Sequence, residues 1–499
     1  MKLGTYAIEK DYSHYIAKSS EIILAIVGTA TKGPIGVPTI CTSAVDFVNK
    51  FGNLNPNHLG TYAAQYFLAQ SNRLYYVRVA DSGAKKSTTK IAGNVADAIV
   101  LSAKTEGTYY NGYSVIISEA TAAEGDVTFK MVIKNKAGMS VETHSGVKLS
   151  ELHVGDTTVP VKDALDSQFI EVTSVAESVT SITNGTYTFA EGNDGTDSLN
   201  STDYAAAADI LANDNLNFNL FSIPGITDPD VIVKMLQMAE VRGDCFYLVD
   251  CPDNLTKEEV ADWHNGTGEY EHVEFNSSYG ALYWSWQRIY DPYNHIYLHV
   301  PPSVVVAPMM AKSARDYEIW YAPAGLQRGV ISGVAEPVTT PTSGDVDYLY
   351  SDDNNVNCII NDPRAGLCVF GQKTLYRQDT ALNRINVRML LNYIKRVVST
   401  ACKFLTFEPN DRVTWNSFED KVEPTLRDIQ NHRGLYEYRI VKGENIVTDT
   451  DIDNYRMPCM VIIRPTKTAE EIPIYFTITS AGAEFNDVLE SNGIIVEEY

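Results

Sequence analysis

Ile22, Ile23, Leu24, Ala25, Ile26 and Val27 form an unbroken apolar run that ends at Gly28. A strand with one wet face alternates polar and apolar side chains. A strand apolar at every position is covered on both faces, as in a sheet layered between helices. The next residues agree with that layering. Gly33-Pro34 and Gly36 break the run, and a helix is expected from Ser43 to about Phe51. Ser43 is its N-cap, and Asp46 three residues on makes a weak capping box. A second helix is expected from Tyr62 to Ala69, and Leu74-Tyr75-Tyr76-Val77-Arg78-Val79 returns to strand. Strand, helix and strand in this order form an α/β unit.

The rhythm is then interrupted. From Ile91 to Asn200 the chain has no Trp, Cys or Arg, and Pro160 is its one proline. This stretch holds 15 acidic residues against 6 lysines, so -9 of the net charge of -23 sits here. Runs such as Val127-Thr128-Phe129-Lys130-Met131-Val132-Ile133 alternate with period two, the pattern of antiparallel strands with one wetted face. Gly192-Asn193-Asp194-Gly195 ends the stretch with turn chemistry. We read 91–200 as a small β domain inserted into an α/β body made of 21–90 and 201–356. In the body, helices are expected from Asp203 to Leu211 and Asp228 to Val241. Strands are expected at Phe218–Ile223, Cys245–Val249 and His295–Val300, the last stopped by Pro301-Pro302. A further α/β domain is expected over 357–479. It holds the longest amphipathic helix, Thr380 to Lys403, with Leu382, Ile385, Met389, Tyr393, Val397 and Ala401 on one face. It also holds a helix from Ser417 to His432 and a last strand from Ile472 to Thr479. The 499 residues fit about three domains. Segments 1–20 and 480–499 read as arms that need another surface to cover Tyr6, Ile8 and Tyr12 at one end and Ile494, Ile495 and Val496 at the other.

The search for chemistry excludes more than it finds. An acidic surface repels phosphate backbones, which argues against direct nucleic-acid binding. The run from Ile22 to Val27 is too short to span a bilayer, and the acids Glu9, Asp11 and Glu21 before it do not suit a signal peptide. A soluble chain without membrane insertion is expected. Seven cysteines at irregular spacing suit free thiols in a reducing cytoplasm better than a disulfide framework or a zinc site. Gly28-x4-Gly33 imitates a phosphate loop, but Pro34 and Ile35 stand where Lys and Ser or Thr are required. His295 and His299 on one strand would sit about 13 Å apart, too far for one metal ion. Gly329-Val330-Ile331-Ser332-Gly333 lacks the spacing of a nucleophile elbow. No catalytic residue, cofactor or metal is assigned; an α/β enzyme remains the competing class.

One charge pattern stands out. Arg377, Arg384, Arg388, Lys395, Arg396 and Lys403 fall in a stretch whose one acid is Asp379, a reversal of sign in an acidic chain. On a helical wheel Arg384, Arg388 and Lys395 lie within about 40° of each other, opposite the apolar stripe. Two readings are open: a solvated face or internal salt bridges, and a docking ridge for an acidic partner. Lys421 and Arg427 on the next helix are candidates for the same surface.

Gly28-Thr29-Ala30-x-Lys32-Gly33-Pro34-Ile35-Gly36, then Asp46-Phe47 and Phe51-Gly52, resembles the opening of contractile tail sheath proteins of long-tailed phages and R-type bacteriocins. Tyr75-Tyr76-Val77-Arg78-Val79-Ala80, Gly107 to Asn111, Gly192 to Gly195 and Trp320-Tyr321-Ala322-Pro323-Ala324-Gly325 continue the resemblance. So do Asn361-Asp362-Pro363, Gly371-x-Lys373-Thr374-Leu375, Ile385-Asn386-Val387-Arg388 and Phe407-Glu408-Pro409-Asn410-Asp411 with Trp415. The resemblance implies an α/β sheath core with an outward-facing β insertion, a C-terminal domain facing an inner tail tube, and linker arms joining neighbouring subunits. It implies partners: further copies of the chain, the tube protein, and baseplate and tail terminator proteins. It places the product in a virion tail, or in a genome-free bacteriocin-like particle, assembled in a bacterial cytoplasm. Arg384, Arg388, Lys395, Lys421 and Arg427 are then the candidates for docking on the tube.

Overall fold

The computed structural model describes residues 21–473 apart from 124–125, 154–159 and 178. Both arms lie outside the described residues, as do Tyr6, Ile8, Tyr12, Ile494, Ile495, Val496 and most of the expected strand from Ile472 to Thr479.

An eight-stranded sheet organises the body. Its order is Gly366–Phe370, Val356–Asp362, Gly280–Trp284, Phe246–Asp250, Leu220–Ser222, Leu24–Gly28, Leu74–Arg78 and Thr39–Cys41. The six inner strands run parallel, and an antiparallel strand closes each edge. The continuous apolar run is explained by where alternate residues go. Ile22, Leu24 and Ile26 join one buried cluster with Phe47, Tyr62 and Phe67. Ile23, Ala25 and Val27 join the other with Leu211, Phe221 and Met235. One strand thus supplies two cores. Helices Ala44–Phe51, Leu59–Leu68 and Pro302–Asp316 feed the first cluster; Ser201–Leu211, Pro229–Arg242 and Lys257–Asn265 feed the second.

Helix starts follow their caps. Ser43 accepts from the Asp46 amide at 3.1 Å, but the Asp46 carboxylate turns to the Thr42 amide, one residue outside the box. Asn200 with Asp203 and Thr256 with Glu259 form complete boxes. Pro302 does not merely stop the preceding strand. It opens a fifteen-residue helix, where its missing N–H costs nothing.

The insertion begins earlier than expected, at the Lys86–Ile91 strand rather than at Ile91. It holds a three-stranded and a four-stranded antiparallel sheet around a separate core. In Asp126–Lys134 burial alternates perfectly, with Val127, Phe129, Met131 and Ile133 inward.

The expected boundary at 357 is corrected. Val356–Asp362 and Gly366–Phe370 belong to the central sheet, so the body continues to the end of that hairpin. Beyond it, the Ile385–Lys403 and Arg412–Asn431 helices pack Ile385, Met389, Tyr393, Phe418, Val422, Leu426 and Ile429 into the first core. A two-stranded ribbon, Leu435–Val441 with Met460–Pro465, follows.

Candidate functional site

The short motifs of the N-terminal half meet at the neck where the insertion leaves the body. Arg78, at the end of an inner strand, has no exposed surface. Its guanidinium donates to the carbonyls of Gly33 (2.8 Å), Glu106 (2.7 Å) and Asp194 (3.1 Å). One planar fork therefore ties the turn after the first strand to the end of the insertion's own Ile99–Glu106 strand and to the turn at Asp194 by which the insertion returns to the body. Asp194 accepts from the Thr108 amide and hydroxyl at 2.7 and 3.0 Å, and His58 Nε2 lies 3.3 Å from it. Burial pushes its carboxyl up, but these hydrogen bonds outweigh burial and hold it below its ordinary value. Gly107 has φ +130°, and a Cβ there would stand 2.0 Å from the Thr31 carbonyl oxygen. A glycine is required at that position. Lys32 is buried beside the same turn, its ammonium 3.8 Å from the Tyr109 ring centre and 5.8 Å from that of Tyr110. Burial pushes its pKa down to about 8.

The neck also contains Thr29 Oγ1 at 2.7 Å from His58 Nδ1, with Asp194 on the other ring nitrogen. The order imitates a nucleophile, base and orienting acid. It lacks access: His58 is 2% exposed and Thr29 9%. Its hydrogen bonds join segments, and among the described residues it is closed off from solvent.

The basic face of the Ile385–Lys403 helix is placed differently from the exposed ridge that the wheel allowed. The helix starts at Ile385, with Arg384 as its half-buried N-cap residue and Leu382 in a preceding short turn. Arg388 is 3% exposed, donates to Ser278 Oγ and lies 4.0 Å over the Tyr279 ring. Burial lowers its pKa, partly offset by Tyr279. Lys395 is exposed but donates to the Tyr279 hydroxyl at 2.8 Å. The wheel correctly put Arg388 and Lys395 on one side; that side packs on the Ser277–Tyr279 loop. Arg396 donates to the carbonyls of Phe218 and Asp244, the latter at 3.0 Å, and Arg377 pairs with Glu274 at 3.1 Å. Internal pairing is therefore the observed arrangement for Arg377, Arg388 and Arg396.

On the Arg412–Asn431 helix, Arg427 is exposed and pairs with Glu423 one turn away, and Lys421 stands 6.0 Å over the Phe404 ring. Phe404, Phe407 and Val413, around the turn between the two helices, are 62%, 102% and 71% exposed. The ribbon also carries exposed apolar groups, Tyr436, Met460 and Ile462. Sequence periodicity does not mark these residues as exposed: Phe404 and Phe407 lie past the end of the expected helix, where no period distinguishes a buried from an exposed ring.

His295 sits in the turn between two strands with φ +57°, and His299 pairs with Asp253 at 2.8 Å. Among the described residues no group of His, Cys, Asp and Glu is arranged to hold a metal, and no helix is long and apolar enough to cross a membrane. All seven cysteines are free, five of them buried.

A family model described as the phage tail sheath protein central domain matches residues 197–375, and one described as the phage tail sheath C-terminal domain matches 377–479. The chain belongs to the phage tail sheath family. The seam between the two sheath domains falls just past the central-sheet hairpin, not at 357. The tail sheath protein of Vibrio phage KVP40 is 27% identical over 61% of this chain and 48% of its own length. That of Enterobacteria phage T4 is 27% identical over 51% of this chain and 40% of its own. The chain thus spans less than half the length of these curated relatives. Two solved structures share the sheath fold across nearly the whole chain. The sheath tail protein of Desulfitobacterium hafniense has a TM-score of 0.60 at 12% identity, covering 93% of this chain and all of that one. The anti-feeding prophage helical sheath in its contracted state has 0.56 at 16% identity, covering 96% and 99%.

Proposed function

We propose that this chain is the subunit of a contractile sleeve that stacks helically around an inner tail tube. Shortening of the sleeve drives the tube through a cell envelope. The supporting observation is that nearly the whole chain aligns with a sheath solved as a contracted helix. Copies join through head-to-tail interfaces, which propagate because their rotation does not close. Arms 1–20 and 480–499 join neighbours by strand addition. The ribbon Leu435–Val441/Met460–Pro465 suits that role, since it pairs with no third strand among the described residues. The tube-facing surface is drawn from the C-terminal domain, with Lys421 and Arg427 as its basic contacts and Phe404 and Phe407 as its apolar ones. Baseplate and terminator proteins bound the sleeve, which is built in the host cytoplasm and works in the particle's tail. Contraction is rigid-body rearrangement of intact bodies about the arm joints, and it uses no bond chemistry. The layered core and the pinned neck suit a body that must move without deforming.

Electron microscopy of the purified full chain tests this reading. Hollow cylinders are expected, and deletion of Met1 to Ser20 or Ser480 to Tyr499 is expected to leave only monomers. Cylinders of normal length from both truncations would remove the arms from the assembly, and a monomeric full chain at high concentration would remove the sleeve.

A further inference from the structure

A cleft of about 430 Å³ opens between the Leu59–Leu68 helix, the Pro302–Asp316 helix and the Gln287–Asp291 strand. Leu54, Ile289, Val305, Met309 and Val330 make it largely apolar. Tyr66 forms one wall and donates to the Gly333 carbonyl at 2.8 Å. Lys312 also lines it, and its ammonium has no ion pair among the described residues. None of these groups is used by the neck or by the C-terminal surface.

The cleft reaches Gln70 at one end. The next residue, Ser71, marks where the N-terminal arm joins the body: its hydroxyl donates to Glu21 Oε1 at 3.5 Å and to the Ile22 carbonyl at 3.4 Å. Tyr15 precedes Glu21 by six residues and Tyr12 by nine, spans of up to ~20 and ~30 Å when extended. Between Tyr6 and Ile16 the arm sets Tyr6, Ile8, Tyr12, Tyr15 and Ile16 around a central Glu9-Lys10-Asp11, two acids to one base. It therefore carries side chains that fill an apolar hollow and carboxylates for Lys312, since the cleft's own Asp291 is taken up by Tyr62, Tyr293 and Asn294.

We infer that in the unassembled subunit the cleft holds the chain's own arm, with Tyr12, Tyr15 and Ile16 seated against the apolar wall and Glu9 or Asp11 near Lys312. A segment tethered at the rim has an effective concentration on the order of millimolar, so a weak contact suffices to occupy the site. A parked arm is withheld from a neighbour's sheet edge until the growing sleeve offers a better partner. The contact forms in a monomer and would exist even if the chain built no sleeve.

Hydrogen exchange on the full-length chain, kept monomeric by dilution, tests it. Arm peptides spanning residues 6–16 are expected to exchange about tenfold more slowly than an unstructured segment, an opening cost of about 1.4 kcal/mol. Ala69, exposed at the cleft mouth, is the site for a blocking change. Ala69→Trp should return the arm to unstructured rates. The arm double variant Tyr12→Ser/Tyr15→Ser, which changes no residue of the body itself, should do the same and should speed exchange at Gln65 to Gln70. Unprotected arm peptides in the wild type would overturn the proposal. So would protection that survives both variants, or protection that rises with protein concentration, since that would place a neighbour's arm in the cleft. A chain that makes no cylinders yet shows the expected protection would defeat the sleeve and leave this contact standing.

Discussion

Arg78 and His264 show how single buried groups set the stability of the body. Arg78 holds three carbonyls from three segments, so Arg78→Lys keeps the charge but cannot reproduce the fork. Hydrogen bonds from a charged group contribute about 1.5–3 kcal/mol each. A loss of roughly 3 kcal/mol or more in denaturant unfolding is expected, and a loss within error would show that the neck is held elsewhere. His264 has no exposed surface and lies 6.3 Å from the Phe275 ring. Burial, then the nearby charge of Arg377, pushes its pKa down from 6.5 to about 3. The folded chain keeps it neutral while the unfolded chain protonates it below its ordinary value. Stability from this group is therefore complete above about pH 6.5 and is lost as pH falls toward 3, by about 1.4 kcal/mol per unit. His264→Leu should flatten the acid limb of a stability profile between pH 6.5 and 5 by about that slope. An unchanged slope would mean that another group controls acid unfolding.

At the scale of elements, the corrected position of the Ile385–Lys403 helix changes what a charge reversal reports. Arg388→Glu would bury a carboxylate against Tyr279 and Ser278, an uncompensated charge costing roughly 3–5 kcal/mol. It should lower soluble yield and melting temperature before any assembly step is reached. Arg427→Glu alters an exposed side chain and should leave the fold within about 0.5 kcal/mol, so a loss of tube-bound particles there would report docking. Equal melting temperatures for the two variants would restore the exposed ridge. The contrast also marks what could be read from the chain. Wheel geometry fixed which residues share a side of the helix, and the apolar stripe of Ile385, Met389, Tyr393 and Ala401 is buried as expected. What packs on the opposite side is a loop more than a hundred residues away, and local periodicity carries no trace of it. The same limit hid the Gly280–Trp284 strand, whose five residues are too few for a period and whose burial on both faces comes entirely from neighbours. The Ile22–Val27 run was legible because two cores claim alternate residues of it. The Ser43 cap was legible because the bond that fixes it spans three residues. The motifs of the neck were visible as a resemblance, but their reason is spatial: segments near 31, 58, 78, 107 and 194 meet only after folding.

For the whole molecule, the arrangement of cores decides which parts can yield separately. The two large clusters lie on opposite sides of the same strands, so neither survives loss of the central sheet. The insertion's core shares no strand with them and is joined to the body through the neck. Its coupling to the body runs through the neck: Arg78, Asp194 and Thr108, the close approach at Gly107, the Lys32–Tyr109 contact, and the backbone bonds from Tyr109 to Thr31 and from Asp81 to Gly195. In a sleeve whose subunits rotate as units, that coupling would keep the insertion and body moving together. Calorimetry of the monomer should show a single merged transition in the wild type. Asp194→Ala, which removes the acceptor for both Thr108 donors, should split it into two, because each core then unfolds at its own temperature. Gly107→Ala should do the same through steric displacement of the Thr31 carbonyl, with no change of charge. If both variants shift one transition downward without splitting it, the insertion's core is not an independent folding unit. The neck would then be a continuation of the body and not a joint between two bodies.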